Sequence, residues 1–206
     1  MKRAAQNEPE AVMQGRERDT VRTRRVVLDA AAKVVGTHGS GASVDAIARE
    51  AGVSKSGLLH HFRSRDQLLL TLAEDIAEQF AATVYAAVDP RDHAPGRLVR
   101  GYVNATFDDL LDGSAVPEQA MLAATLSTVP GVAEVLQRDK QRWREAFDAD
   151  GLHPQRALLI VRAADGVAIA GLYEGDSDPE ELRQTRRLLL ALSRQDGPLV
   201  DFPEIG

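Results

Sequence analysis

The sequence predicts an all-α protein of about nine helices. Three observations carry that expectation. Apolar residues recur at spacings of three and four along most of the chain, and no convincing stretch alternates with the period of two that a half-buried strand needs. Ser43, Ser54 and Ser64 each stand just ahead of such a stretch, where a hydroxyl can accept an N–H from the first helical turn. Clusters of Gly, Pro and Asp, among them "HGSGAS", "DPRDHAPG" and "ADGLHP", separate the periodic runs.

The elements follow in order. Residues 1–19 lack periodicity and read as a flexible tail. A helical pattern starts at Thr20, with Val27, Ala31, Val34 and Val35 on one face, and "HGSGAS" stops it. Ser43 caps a second helix whose stripe is Val44, Ile47, Ala48 and Ala51, and Gly52 ends it. Ser54 caps a third, short helix, with Val53 placed to pack on Leu58 and with Leu58 and Phe62 on one face. Ser64 and Gln67 form a capping box for a long fourth helix from Asp66 to about Val88, which buries Leu69, Leu72, Ile76 and Phe80. Further helices are expected at 96–111, 117–128, 132–149, 154–173 and 179–194. The expected organisation is a tail over 1–19, a small helical unit over 20–66, a larger one over 67–195 and a second tail over 196–206.

Composition narrows the class. Hydrophobic residues make up 44% of the 206 and charged residues 27%, which suits a globular domain with a sizeable core. Aromatics are only 4%, so Leu, Val and Ala must fill that core. With no cysteine, disulfides and thiolate metal sites are excluded. No apolar run approaches the ~18 residues of a membrane span, and the first twenty residues lack a signal peptide's apolar stretch. A cytoplasmic protein is expected. Charge is unevenly spread. Residues 1–65 hold 12 Lys/Arg against 7 Asp/Glu, whereas 66–206 hold 13 against 24. A basic head on an acidic body points to a head that meets a polyanion.

The stretch "AGVSKSGLLHHFRSRDQLL" concentrates that chemistry. Two short helices meet at Gly52, and the second carries its polar groups at its N-terminus, which is the helix-turn-helix arrangement. Lys55, Ser56, Gly57, His60 and His61 are placed to meet base edges, while Ser43, Ser54 and Arg65 are placed for phosphates. Ser56 and Gly57 are small enough for close approach of the backbone. Other readings fit less well. Adjacent His60 and His61 point ~100° apart on a helix and would share a metal poorly, so no metal is expected. Ser54 and Lys55 have no orienting third group, so no catalytic residue and no cofactor are assigned. The acidic runs Asp108-Asp109-Asp112 and Glu180-Glu181 read as solvated helix faces.

"SVDAIAREAGVSKSGLLHHFRSRDQLL" resembles the DNA-binding segment of the TetR family of bacterial transcription regulators. The usual run there is close to V-S-K-G-T-L-Y-x-Y/H-F-x-[SN]-K-x-x-L. Val53, Ser54, Lys55, Leu58, His61, Phe62, Ser64 and Leu68 match it. The likeness is strong over about residues 20–70. Leu59 stands where a phosphate-contacting tyrosine is usual, and Arg65 replaces a lysine. The resemblance implies double-stranded operator DNA as partner, a small-molecule effector held by the C-terminal body, and a homodimer built on the last two long helices. Candidate lining residues are Tyr102, Thr106, Phe107, Met121, Trp143 and Phe147; candidate dimer contacts are Arg162, Ile169, Ala170, Tyr173, Leu188 and Leu192. The implied function is a repressor released by its ligand. An effector-independent helical DNA-binding or interaction protein is the alternative.

Overall fold

A computed structural model describes residues 8–112, 122, 124–174 and 178–201, with side chains described from residue 19 onward except at 40, 123 and 171–174. Among these residues there are helices and connecting turns and no strand. The α-helices are α1 (Glu8–His38), α2 (Val44–Glu50), α3 (Lys55–His61), α4 (Arg65–Ala86), α5 (Arg97–Leu111), α6 (Val132–Ala149), α7 (Pro154–Glu174) and α8 (Pro179–Leu192). A short 3-10 turn, Gly39–Gly41, leads out of α1. The helix expected at 117–128 lies largely outside the described residues; 122 and 124–126 within it are helical.

The main departure from expectation is the start of α1. It begins at Glu8, twelve residues before the apolar pattern does. "EPEAVMQGRERD" has no apolar stripe to signal a helix, yet Pro9 falls in the first turn, where a missing N–H costs nothing.

Two cores organise the chain. Val27, Ala31, Val35, Ile47, Leu58, Phe62, Leu68, Leu69 and Leu72 form the head core, joining α1 to α4. Leu122, Leu126, Val129 and Val132 pack into the same core from the body side. The body core gathers Val84, Val99, Val103, Phe107, Ile160, Ala164, Leu182 and Leu189 around α5. Helix α4 belongs to both. Its first half buries Leu68, Leu69 and Leu72 in the head, and Val84 near its end lies in the body.

Helix α5 crosses α4 closely at Gly101, where a Cβ would fall 2.6 Å from Val88 Cγ2 and 3.0 Å from the Val84 carbonyl oxygen. The start of α5 is tied from a distance. Asp150 Oδ2 accepts from the Leu98 and Val99 N–H groups at 2.9 and 3.2 Å. Buried Arg100 donates to Asp92 and to the carbonyls of Pro95, Ala94 and Ser193, which binds the 89–96 loop to the end of α8.

Candidate functional site

The head builds its exposed helix from local chemistry. At the end of α2 the Val53 N–H reaches the Ala48 carbonyl at 3.0 Å and the Gly52 N–H reaches that of Arg49 at 3.2 Å. This pair of bonds needs a left-handed residue between them, and Gly52 supplies it at φ 66°. The chain then turns straight into α3. Ser54 Oγ accepts from the Gly57 N–H at 3.0 Å, and Ser43 Oγ does the same for Ala46 at 3.2 Å in α2. Ser64 Oγ accepts from Gln67 N–H at 3.1 Å, while the Gln67 side chain reaches back one residue further than a capping box expects, to the Arg63 N–H.

Helix α3 turns Leu58 inward and leaves Lys55, Ser56 and His60 exposed. Ser54 and Ser56 share a hydroxyl contact of 3.2 Å at its N-terminus. A Cβ on Gly57 would lie 3.0 Å from Ser54 Oγ, so glycine keeps the cap open. Lys55 Nζ is held 2.8 Å from Asp45 Oδ2 on α2. The far end of α3 is pinned by Arg24 of α1, whose guanidinium donates to the His61 carbonyl at 2.9 Å and lies 4.5 Å above the Phe62 ring centre.

Three of the side chains expected to face DNA, Leu59, His61 and Arg65, are half-buried. Leu59 is half-buried and packs on the head core, because its position turns it towards that core. Arg65 is also half-buried; its Nε donates to the Ala42 carbonyl at 2.7 Å, so it braces the loop ahead of α2. His60 and His61 rings meet edge to face at 5.6 Å, and no cluster of metal-ligating side chains occurs among the described residues.

The body holds two adjoining cavities between α4, α5, α6 and α7. One, of about 520 Å³, has Tyr102, Trp143, Phe147 and Leu158 in its wall. The other, of about 480 Å³, is lined by Ile76, Ala77, Phe80, Thr106, Ala168 and Ile169 among others. Tyr102, Leu136, Asp139, Arg162 and Asp165 line both and form the waist between them. At that waist the Tyr102 hydroxyl donates to Asp165 Oδ1 at 2.6 Å, and Arg162 donates to Asp165 Oδ2 at 3.1 Å. Burial, reinforced by the Asp165 carboxylate, pushes the Tyr102 phenol far above its ordinary range, so it stays a donor. Asp139 is answered by Arg142 at 2.6 Å.

Of the expected lining residues, Tyr102, Thr106, Trp143 and Phe147 therefore meet at the cavities. Phe107 does not. It follows Val103 by four residues on the core stripe of α5 and is fully buried in the body core. Met121 lies outside the described residues. Asp165 and Asp139 were not anticipated, and the one signal for Asp165 is a carboxylate inside the apolar run "RAADGVAIAG".

On the outer face, Ile169 and Leu188 are 49% and 58% exposed, Ala170 is half-buried, and Leu192 packs on the body core. Arg162, expected at a dimer contact, sits at the cavity waist. The Tyr173 side chain lies outside the described residues. One carboxylate of each acidic run is answered by arginine. Asp108 pairs with Arg186 at 2.8 Å, and Glu180 with Arg183 and Arg187.

Comparison with known proteins finds a family match in each half of the chain. The model for bacterial regulatory proteins of the tetR family matches residues 27–72, and that for the tetracyclin repressor-like C-terminal domain matches residues 96–194. The HTH-type transcriptional regulator BetI of Agrobacterium fabrum is 39% identical over 74 residues, 34% of this chain. That match spans only 36% of the curated relative's length. A transcriptional regulator from Rhodococcus sp. Rha1 shares the fold at a TM-score of 0.66 and 23% identity, covering 82% of this chain and 95% of that one. The multidrug binding protein EbrR complexed with malachite green is 26% identical at a TM-score of 0.62, over 84% of this chain and 98% of its own. With both of its halves matched, the chain belongs to the TetR family of bacterial regulatory proteins.

Proposed function

We propose that the chain is a homodimeric transcriptional repressor that binds operator DNA through α3 and is released from it by a small molecule held in the body. The reading rests chiefly on α4, which contributes Leu68, Leu69 and Leu72 to the core beneath α3 and Ile76 and Phe80 to the cavity wall. One rigid element thus touches both the DNA-facing head and the ligand-sized space. The cavities are within the size range of small-molecule sites. The relatives point the same way, one by its name as a transcriptional regulator and one by its bound dye.

On DNA, the N-terminus of α3 enters the major groove, with Lys55, Ser56, Gly57 and His60 nearest the bases and the capped N-termini of α2 and α3 near phosphates. Two such helices, one per protomer, reach half-sites one turn of DNA apart, about 34–36 Å. The ligand acts by binding the DNA-incompetent spacing more tightly; a swing from 1:99 to 99:1 needs ~5.5 kcal/mol of preference. The packing of Leu126, Val129 and Val132 into the head core supplies a second mechanical link. No helix among the described residues is long and apolar enough to cross a membrane, and the protein acts in the cytoplasm, where its DNA lies. Fluorescence anisotropy with duplexes tiled across the DNA upstream of its own gene is the test. Saturable binding to one tile that resists non-specific competitor is expected. Equal binding to every tile would overturn the reading.

A further inference from the structure

The larger of the two body cavities is a cleft between α6 and α7 with two kinds of wall. Its floor is aromatic and at least half-buried: the Trp143 and Phe147 rings stack at 5.4 Å, and Tyr102 meets both edge-on. Its rim is exposed and charged. Lys140, Arg144 and Asp148 stand there one helical turn apart on α6, and Arg162 stands on α7. Part of that charge is already committed. Asp165 accepts from Tyr102 and Arg162, and Asp139 from Arg142. Lys140, Arg144 and Asp148 form no ion pair among the described residues. The uncommitted charge of the rim is therefore two cations against one carboxylate. Residues four apart on a helix bring their Cβ atoms within about 5–6 Å, so one anionic group can lie against Lys140 and Arg144 together. Asp148 stands two turns beyond Lys140, about 12 Å along the helix axis. A cation would find only that one carboxylate free. A charged head at the rim keeps its contact with water and escapes the cost of burial, while an apolar chain attached to it leaves water for the aromatic floor.

From these observations we infer that the effector is an amphipathic anion, its apolar part lying on Trp143 and Phe147 and its anionic head, a carboxylate in the simplest case, held at the rim by Lys140 and Arg144. The inference rests on the reading of the body as the effector domain. It names the ligand class, and it identifies Lys140 and Arg144 as the residues that select for negative charge.

Trp143 is the chain's one tryptophan and stands in the cavity floor, so its emission reports occupancy directly. The full-length protein is titrated at neutral pH with decanoate, decyltrimethylammonium and decanol below their micellar concentrations. The first two carry the same chain and opposite charge, and decanol is the uncharged control. Decanoate is expected to bind about tenfold more tightly than decyltrimethylammonium, the scale of one or two exposed ion pairs, and added salt should narrow that gap. The Lys140→Gln, Arg144→Gln double variant should weaken decanoate about three- to tenfold, leave decanol unchanged and abolish the preference for the anion. Asp148→Asn should tighten decanoate. Arg183→Gln, which removes a positive charge outside both cavity linings, should leave the preference in place. Tighter binding of decyltrimethylammonium, no binding of decanoate, or a preference for decanoate that survives the double variant would each overturn the inference. Decanoate binding that needs Lys140 and Arg144 yet leaves operator affinity unchanged would sustain the ligand class and overturn the effector reading instead.

Discussion

Lys55 Nζ lies 2.8 Å from Asp45 Oδ2, so the foremost cation of α3 is already engaged by a carboxylate of α2. Both side chains are more than half exposed, and the pair itself adds little stability. In the proposed complex its weight is electrostatic, because DNA would compete for the lysine and would have to accept an aspartate beside its phosphates. Lys55→Ala should weaken specific binding by ~1–3 kcal/mol if the lysine reads a base. Asp45→Asn should tighten binding to all sequences, most at low salt where phosphate repulsion is least screened. Anisotropy titrations over a salt series measure both. Unchanged affinity in both variants would remove this surface from the DNA contact.

Phe62 is 1% exposed, with Arg24 stacked on its ring. Phe62→Ala should cost ~3–5 kcal/mol in urea unfolding. Arg24→Ala should cost less, ~0.5–2 kcal/mol, through loss of the ring contact, and should also loosen the end of α3 by freeing the His61 carbonyl. The two losses should not add, since both residues share one contact.

Arg100 and Asp92 form a largely buried pair at 2.7 Å. The hydrogen bond from Arg100 holds the Asp92 carboxyl below its ordinary value of 3.8. A carboxylate whose pKa is depressed on folding contributes stability that is present above the unfolded value and is lost as pH falls through the folded one. Asp92→Ala should therefore cost about 3 kcal/mol at neutral pH, at the lower end for a buried pair. That difference should shrink as pH drops below about 4. Urea melts of both proteins across pH 3–7 give the comparison.

Gly101 lies where α5 meets α4. Gly101→Ala places a methyl group against Val88 Cγ2 and the Val84 carbonyl. Backbone cannot yield as a side-chain tip does, so the gain in helix propensity should be outweighed by strain of ~1–3 kcal/mol. A rise in melting temperature would show that the two helices separate readily.

Leu188 is a large apolar side chain left 58% exposed on α8. Leu188→Arg should shift the sedimenting species from dimer to monomer and lower operator affinity in parallel. A wild-type monomer at micromolar concentration would contradict the proposed two-fold assembly.

What could be read from the sequence was local. Ser43, Ser54 and Gly52 announce helix starts and a turn through neighbours within five residues, and the structure uses each of them that way. Helix α6 was legible to the residue because Gly131 and "ADGLHP" bracket it. What stayed hidden depends on distant partners. Nothing near Asp165 indicates that Tyr102, sixty-three positions away, will donate to it. Arg100 reads as a surface charge until Ser193 and the 92–95 loop close around it. Phe107 and Thr106 are adjacent in sequence, and only the rotation of α5 decides which one faces the cavity. The early start of α1 was missed because it lacks an apolar stripe.

Helix α4 has 22 residues, about 33 Å at 1.5 Å per residue, with apolar anchors near both ends. A rod held so cannot absorb a push by bending without opening one of its cores. It acts as a lever instead, and levers multiply. A tilt of only ~5° displaces the far end of a rod of that length by ~3 Å. That is a whole hydrogen-bond length, from a change at the cavity wall smaller than a methyl group.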